Sequence, residues 1–250
     1  MTRSLPSTVI AANVATQGPR ASTRGAEGTH ALRRTIALSA AFAAFAAVPD
    51  AQARGATVPP AAILPPADEC ARDVGFDRFR TNLLATVRRR DARGLLALVA
   101  DDIKFNFGGG TGARAFAAEW KLDRPATSAL WHELGAALRL GCARQGNAMV
   151  VPHLFVRFPE RLDPFGYVVT LTPHAVRAAA RSTGARVPVP RWSLLRTARS
   201  GGGGSWIPVI VSGGRKAYAR RTDVRSPVDY RAFFERRNGR WRMTLFVAGD

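Results

Sequence analysis

Two hundred and fifty residues, 46% of them hydrophobic, allow one large domain or two small ones with a sizeable core, so the composition is that of a globular chain. The formal charge is +19, from 37 basic and 18 acidic residues, but only Lys104, Lys121 and Lys216 are lysines and the arginines read as scattered, with Arg88-Arg89-Arg90 the longest run. An arginine bias in an Ala- and Gly-rich background is what a GC-rich genome tends to produce, and there is no basic arm, so no specific nucleic-acid partner is expected. Attraction to anionic surfaces by charge needs little geometry and is expected.

The first segment, residues 1–53, ends in the three parts of a secretory signal. Arg33-Arg34 supply a positive start, Ile36 to Val48 form an apolar run, and Ala51-Gln52-Ala53 is a small-x-small site with cleavage between Ala53 and Arg54. The run is too short to span a bilayer comfortably, which gives an expectation of export to the periplasm or the extracellular space. Removal of the segment takes away five arginines and two acids and leaves a mature charge of +16. The only two cysteines, Cys70 and Cys142, both lie in the mature part. An oxidising compartment lets them form a disulfide; two separate buried thiols are the bland alternative. Without matching histidines they make no zinc site.

Residues 54–67 read as an extended Pro/Ala linker, and residues 68–162 as the first part of an α+β domain. Phe76, Phe79, Leu83 and Val87 recur at helical spacing. Asp91 can cap a second helix through Leu95, Leu96 and Val99, ending at Asp101-Asp102. Ile103, Phe105 and Phe107 alternate with Lys104 and Asn106 as a half-buried strand. Gly108-Gly109-Gly110 lacks the Lys-Ser/Thr of a phosphate loop and reads as a connection. Phe116 and Trp120 share a face of a third helix. Leu130, Leu134 and Leu138 mark a fourth, with Ser128 before it and Gly141 after it. Met149 to Phe158 reads as one or two strands broken at Pro152.

Residues 163–227 change character to short strands punctuated by Gly and Pro, the pattern of a small barrel. Tyr167 to Leu171, His174 to Ala178, Val187, Val189 and Leu194-Leu195 come first. A glycine loop at 201–204 precedes Trp206, and Gly213-Gly214 favours a two-residue turn between that strand and the one carrying Tyr218. In residues 228–250, Ala232 and Phe234 alternate with Phe233 and Glu235. Asn238-Gly239 then predicts a type I′ hairpin turn, and Trp241, Met243, Leu245 and Val247 share a face of the returning strand. Two strands alone are marginal, so this hairpin must join a larger sheet.

Two resemblances follow from these residues. The run from Val87 to Phe107, with Asp91, Leu95, Asp101, Asp102, Ile103 and Phe105, resembles the opening of the nuclear transport factor 2-like superfamily. The Trp-bearing final hairpin is similar to that fold's last strands. The resemblance implies a curved sheet wrapped on a long helix around a conical pocket, which the C-terminal hairpin completes. Between them, the order Val-Arg-Ala, turn, Val, Leu, glycine loop, Trp, strand, Gly-x-x-x-Tyr resembles a bacterial Src-homology-3-type (SH3-like) domain. Here Ala217 stands where the family usually has glycine, and His174-Ala-Val-Arg177 replaces its usual Asn-x-Arg.

No catalytic constellation stands out: His132, His153 and His174 lie in different segments, and His132-Glu133 lacks the second histidine of a metalloprotease helix. The chain therefore reads as an exported, non-enzymatic binding or scaffold protein with no cofactor and no metal. The SH3-like resemblance implies a cell-wall peptide or an envelope protein as partner, with Arg191, Trp192, Trp206 and Tyr218 as ligand-binding residues. Aromatic rings in so small a barrel also serve as its core. The alternative is small-ligand binding or an enzyme activity in the conical pocket, around Asp102, Trp120 and His132.

Overall fold

The computed structural model describes residues 62–198 and 204–249. The expected signal, its Ala53–Arg54 cleavage site, the first part of the linker and most of the 201–204 glycine loop lie outside those residues. The described chain is α+β with two sheets.

Helix α1, Val74–Arg89, forms because Phe76, Leu83 and Val87 fall on one face, which is buried. At its start the Asp73 carboxylate accepts from the Phe76 N–H at 2.8 Å, and Arg90 at φ 53° closes its end. Asp91 caps α2, Ala92–Leu96, by accepting from the Gly94 N–H. The second helix is shorter than the sequence suggested. Strand β1 runs Val99–Lys104, so Asp101 and Asp102 sit inside a strand instead of ending a helix. The reason is tertiary: Val99 and Lys104 pair in parallel with Met243 and Leu245, and strand pairing outweighs a weak local helix preference. Helices α3, Ala113–Glu119, and α4, Leu130–Leu138, follow, with Phe116, Leu130, Leu134 and Leu138 buried.

Strands β2, Ala143–Gln145, and β3, Ala148–Val151, make a hairpin. Val151-Pro152 is cis, and the chain beyond it turns into α5, His153–Val156, where a second strand was expected. The Pro152 nitrogen has no hydrogen to continue the β ladder. The last two strands of the chain, β10 (Arg231–Arg237) and β11 (Arg240–Val247), enter this same sheet. Its order is β1-β11-β10-β3-β2, so β1 and β3 do not touch and the hairpin fills the space between them. Asn238 and Gly239 both have positive φ, 51° and 76°, as a type I′ turn requires. A register shift near Phe233–Phe234 skips Thr244, which places Phe246, not Leu245, in the core beside Trp241 and Met243.

Residues between β3 and β10 form the second sheet. Its strands are β4 (Tyr167–Thr170), β5 (Val176–Arg177), β6 (Leu194–Thr197), β7 (Trp206–Ile210), β8 (Lys216–Arg220) and β9 (Val224–Arg225), in the order β5-β8-β7-β6-β4-β9. Among the described residues the two outer strands, β5 and β9, do not pair with each other. The β7–β8 loop is longer than a two-residue turn. Val211 N–H donates to the Arg215 carbonyl around Ser212-Gly213-Gly214, with both glycines near φ +75°. Val168, Val176, Leu195, Val209, Ala217 and Ala219 form this sheet's own core.

Residues 62–70 bind the two sheets together. They are no free tether: Leu64 N–H donates to the Trp192 carbonyl and Leu194 N–H to the Ala62 carbonyl, both at 2.8 Å, along the start of β6. Cys142 N–H donates to the Ala67 carbonyl and Glu69 N–H to the Cys142 carbonyl at the start of β2. Gly141, at φ 76°, faces the Ala67 carbonyl so closely that any side chain there would collide with it. The disulfide Cys70–Cys142 closes this crossing over a sequence separation of 72 residues, with Cα atoms 5.6 Å apart. On the loop-entropy model such a loop is worth about 4 kcal/mol. Glu69 accepts two hydrogen bonds from Arg157, at 2.8 and 2.6 Å, and lies 3.3 Å from His153 Nε2.

Two outcomes follow. A chain ending at Ser226 lacks both central strands of the first sheet, and its 68–160 region should show no cooperative denaturant transition by circular dichroism. The Arg157 hydrogen bonds hold the Glu69 carboxyl down to about 2 from its ordinary 4.5, so it stays ionised in the fold after the unfolded chain has protonated. Its stabilisation is complete above about pH 4.5 and is lost as the pH falls towards 2. Glu69→Gln should therefore flatten the fall in melting temperature across that window.

Candidate functional site

Strand alternation sorts the second sheet into two unlike faces. On β7 and β8, Val209, Ala217 and Ala219 are buried in the sheet's core, with Ile207 packed against it. Trp206, Pro208, Ile210, Lys216, Tyr218 and Arg220 therefore point the other way. Pairing registers extend that outer face: Tyr218 stands beside Arg177 of β5 and Pro208 of β7, and Ile210 stands beside Arg196 of β6. Lys216 Nζ lies 5.6 Å from the Tyr218 ring centre and the Arg220 guanidinium 6.0 Å from that of Trp206. Tyr218 and Trp206 are half-buried, and Lys216, Arg196 and Arg220 are exposed. The face thus carries two aromatic rings among four cations.

No carboxylate interrupts it, and the reason lies in the sequence. From Pro164 to Thr222 there are ten basic residues and not one Asp or Glu. The basic residues are about as dense here as elsewhere, but with no acids among them this stretch carries +10 of the chain's net +19. That acid-free stretch, bounded by Asp163 and Asp223, is the signal that a search for basic runs misses, because each arginine is separated from the next by neutral residues.

At one end of the face, where β7 begins and β8 ends, lies a groove of about 780 Å³ lined by Ser182, Ser205, Trp206, Arg220, Arg221 and Thr222. Arg221 is held in place: its Nε donates to the Gly204 carbonyl at 2.7 Å, and its N–H to the Ser205 carbonyl at 2.9 Å.

The other sequence-derived candidates lie elsewhere. Trp192 adopts φ 69° and is half-buried in the seam between the sheets, packed with Leu64, Leu154, Val169 and Leu194. Its N–H donates to the Thr170 carbonyl at 2.8 Å. Arg191 stacks 4.3 Å from the Trp192 ring centre and donates from Nε to the Leu171 carbonyl. Both are tied to the junction of the sheets, apart from the outer face that holds Trp206 and Tyr218.

Asp102, Trp120 and His132 are engaged with three separate sets of neighbours. The Asp102 side chain is 71% exposed and lies 3.8 Å from Arg237; that of His132 is 79% exposed with Nδ1 3.0 Å from Glu133. Trp120 packs against Phe116, Tyr230 and Phe246 as part of the first sheet's hydrophobic core. Beside them Arg225 is buried, with Nη2 donating to the Tyr230 carbonyl at 2.5 Å. Burial pulls the Arg225 pKa down and pushes that of Asp229 up, while their mutual attraction opposes both shifts.

No protein-family model matches the chain, and no curated protein does. It is similar to solved structures with nuclear transport factor 2-like and cystatin-like folds. One is a nuclear transport factor 2-like protein of unknown function from Pseudomonas putida, 12% identical over 71% of this chain and 84% of that one, with a TM-score of 0.27. Another is a protein of unknown function with a cystatin-like fold from Nostoc punctiforme, 10% identical over 73% and 92%, with a TM-score of 0.26. A third, of unknown function, comes from Mycobacterium tuberculosis, 10% identical over 72% and 71%, with a TM-score of 0.25. Likeness at this level carries no functional argument.

Because Trp192 joins β4, β6 and the 62–64 segment, Trp192→Ala should destabilise the protein by about 2–3 kcal/mol, less than a fully buried Trp would cost. Urea unfolding measures that loss.

Proposed function

We propose that this is an exported, non-enzymatic binding protein whose second sheet is an SH3-like module holding anionic cell-envelope material. The observation that carries this reading is the outer face of β5, β8, β7 and β6, where Arg177, Arg196, Lys216 and Arg220 surround Tyr218 and Trp206 within an acid-free stretch. Four cations that have no carboxylate partner among the described residues attract polyanions, and half-buried rings give stiff, flat contact area to whatever settles there. The export part rests on Arg33-Arg34, the apolar run after it and Ala51-Gln52-Ala53. The disulfide, a bond that persists in oxidising compartments, supports it. The first sheet, filled by its own aromatic rings, acts as the scaffold.

Sedimentation with purified peptidoglycan tests the reading. The protein should be retained at about 0.1 M salt, where the screening length is roughly 10 Å, and less so at about 0.5 M. Arg177→Glu with Lys216→Glu should weaken retention at low salt by about tenfold or more, a loss of at least about 1.4 kcal/mol. Equal retention of the reversed variant, or no retention of the wild type, sinks the proposal.

A further inference from the structure

The groove beside Trp206 differs in chemistry from the face that leads to it. The face offers cations and rings, whereas the groove adds the three hydroxyls of Ser182, Ser205 and Thr222 around one indole and the Arg220 and Arg221 side chains. Among the described residues no carboxylate is part of its lining, and the nearest one named, Asp223, accepts from the Thr222 hydroxyl at 3.4 Å. At about 780 Å³ it falls within the roughly 300–1,000 Å³ of clefts that hold small ligands, enough for a short run of sugar rings.

We propose that this groove is a subsite for a carboxylated sugar within an anionic glycan chain. The inference rests on the reading of the cationic face above and adds the class of ligand.

Each wall matches one part of such a sugar. An indole is a flat, amphipathic surface on which the C–H face of a pyranose ring can lie, and Trp206 is the aromatic side chain at the groove. Short hydroxyl side chains donate and accept, so Ser182 and Ser205 can exchange hydrogen bonds with ring hydroxyls in either sense, and Thr222, whose hydroxyl donates to Asp223 at 3.4 Å, can accept one. A planar guanidinium presents paired N–H donors that fit a carboxylate in the bidentate manner. Arg220 is exposed and stands over the Trp206 ring, so a carboxylate on a stacked sugar comes within its reach. A carboxylate alone would use only Arg220, whereas a sugar adds ring hydroxyls for the hydroxyl side chains and a C–H face for the indole. That difference separates a glycan from a simple polyanion. The rest of the face, running from Trp206 through Tyr218 and Pro208 to Arg177, Lys216 and Arg196, continues the path for further acidic units.

Titration calorimetry of the mature protein with a galacturonate hexamer and with a glutamate hexamer of equal charge decides the matter. The acidic sugar should bind at least about tenfold more tightly, a difference of about 1.4 kcal/mol. Trp206→Ala should bring that ratio to about one. Because a half-buried Trp can also support the strand, the double variant Ser182→Ala with Thr222→Val is measured beside it and should reduce the ratio in the same direction. Equal affinity of the wild type for both hexamers overturns the sugar subsite while leaving the cationic-face reading standing. A preference untouched by both variants overturns the assignment to this groove. Failure of both hexamers to bind at low salt overturns the subsite and the reading beneath it together.

Discussion

The first sheet has no centre until the last twenty residues of the chain arrive. Strand β1 reaches β3 only through β11 and β10, so the parallel pairing of Val99 and Lys104 with Met243 and Leu245 joins residues about 140 positions apart. Aromatic contacts from both ends of the chain depend on it: Phe76 of α1 meets Phe234 and Trp241, and Trp120 meets Phe246. Closing so long a loop costs entropy before any of those contacts repay it. The interposed sheet shortens that effective distance, because residues 167–225 organise around a core of their own and bring β3 and β10 back together.

The two sheets could still swing about the chain segments that connect them. Three features oppose this. The 62–70 strap pairs with the start of β6 at one end and the start of β2 at the other, and Cys70–Cys142 fixes the second end. Trp192, in a left-handed conformation that a tryptophan adopts only under constraint, fills the seam. Where the chain leaves the second sheet, Arg225 of β9 donates to the Tyr230 carbonyl just before β10. The outer face of β7 and β8 is therefore presented on a fixed frame.

Local signals in the sequence marked the elements whose stability is local. The Phe76-Phe79-Leu83-Val87 spacing gives α1, and Asn238-Gly239 gives the hairpin turn, because both depend on neighbours within a few residues. Asp101 and Asp102 misled because a strand defined by a partner some 140 residues away has no local mark. The skipped Thr244 is equally silent, since a bulge is set by the fit of two strands and not by the composition of one. At the candidate site Trp206 and Tyr218 were legible as residues, but their shared face was not. Only the pairing of Trp206 with Arg220 and Pro208 with Tyr218 shows which side of the sheet they occupy. The arginines around them were visible all along, and their meaning lay in the missing acids between Asp163 and Asp223.

That absence has an energetic side. A sheet built largely from residues 164–222, with ten basic residues and no acid among them, repels itself, and the repulsion is strongest when salt is low. The cations cannot neutralise one another, and Lys216 and Arg220 settle instead over the electron-rich faces of Tyr218 and Trp206, contacts worth only about 0.5–1 kcal/mol each at exposed sites. The sheet's own apolar core must hold it against this repulsion. An anionic partner that lies along the outer face removes the repulsion as it binds, so it favours the folded sheet over the unfolded chain through mass action. A charge distribution that weakens the isolated protein is in this way the same one that rewards its partner, and the two cannot be tuned separately.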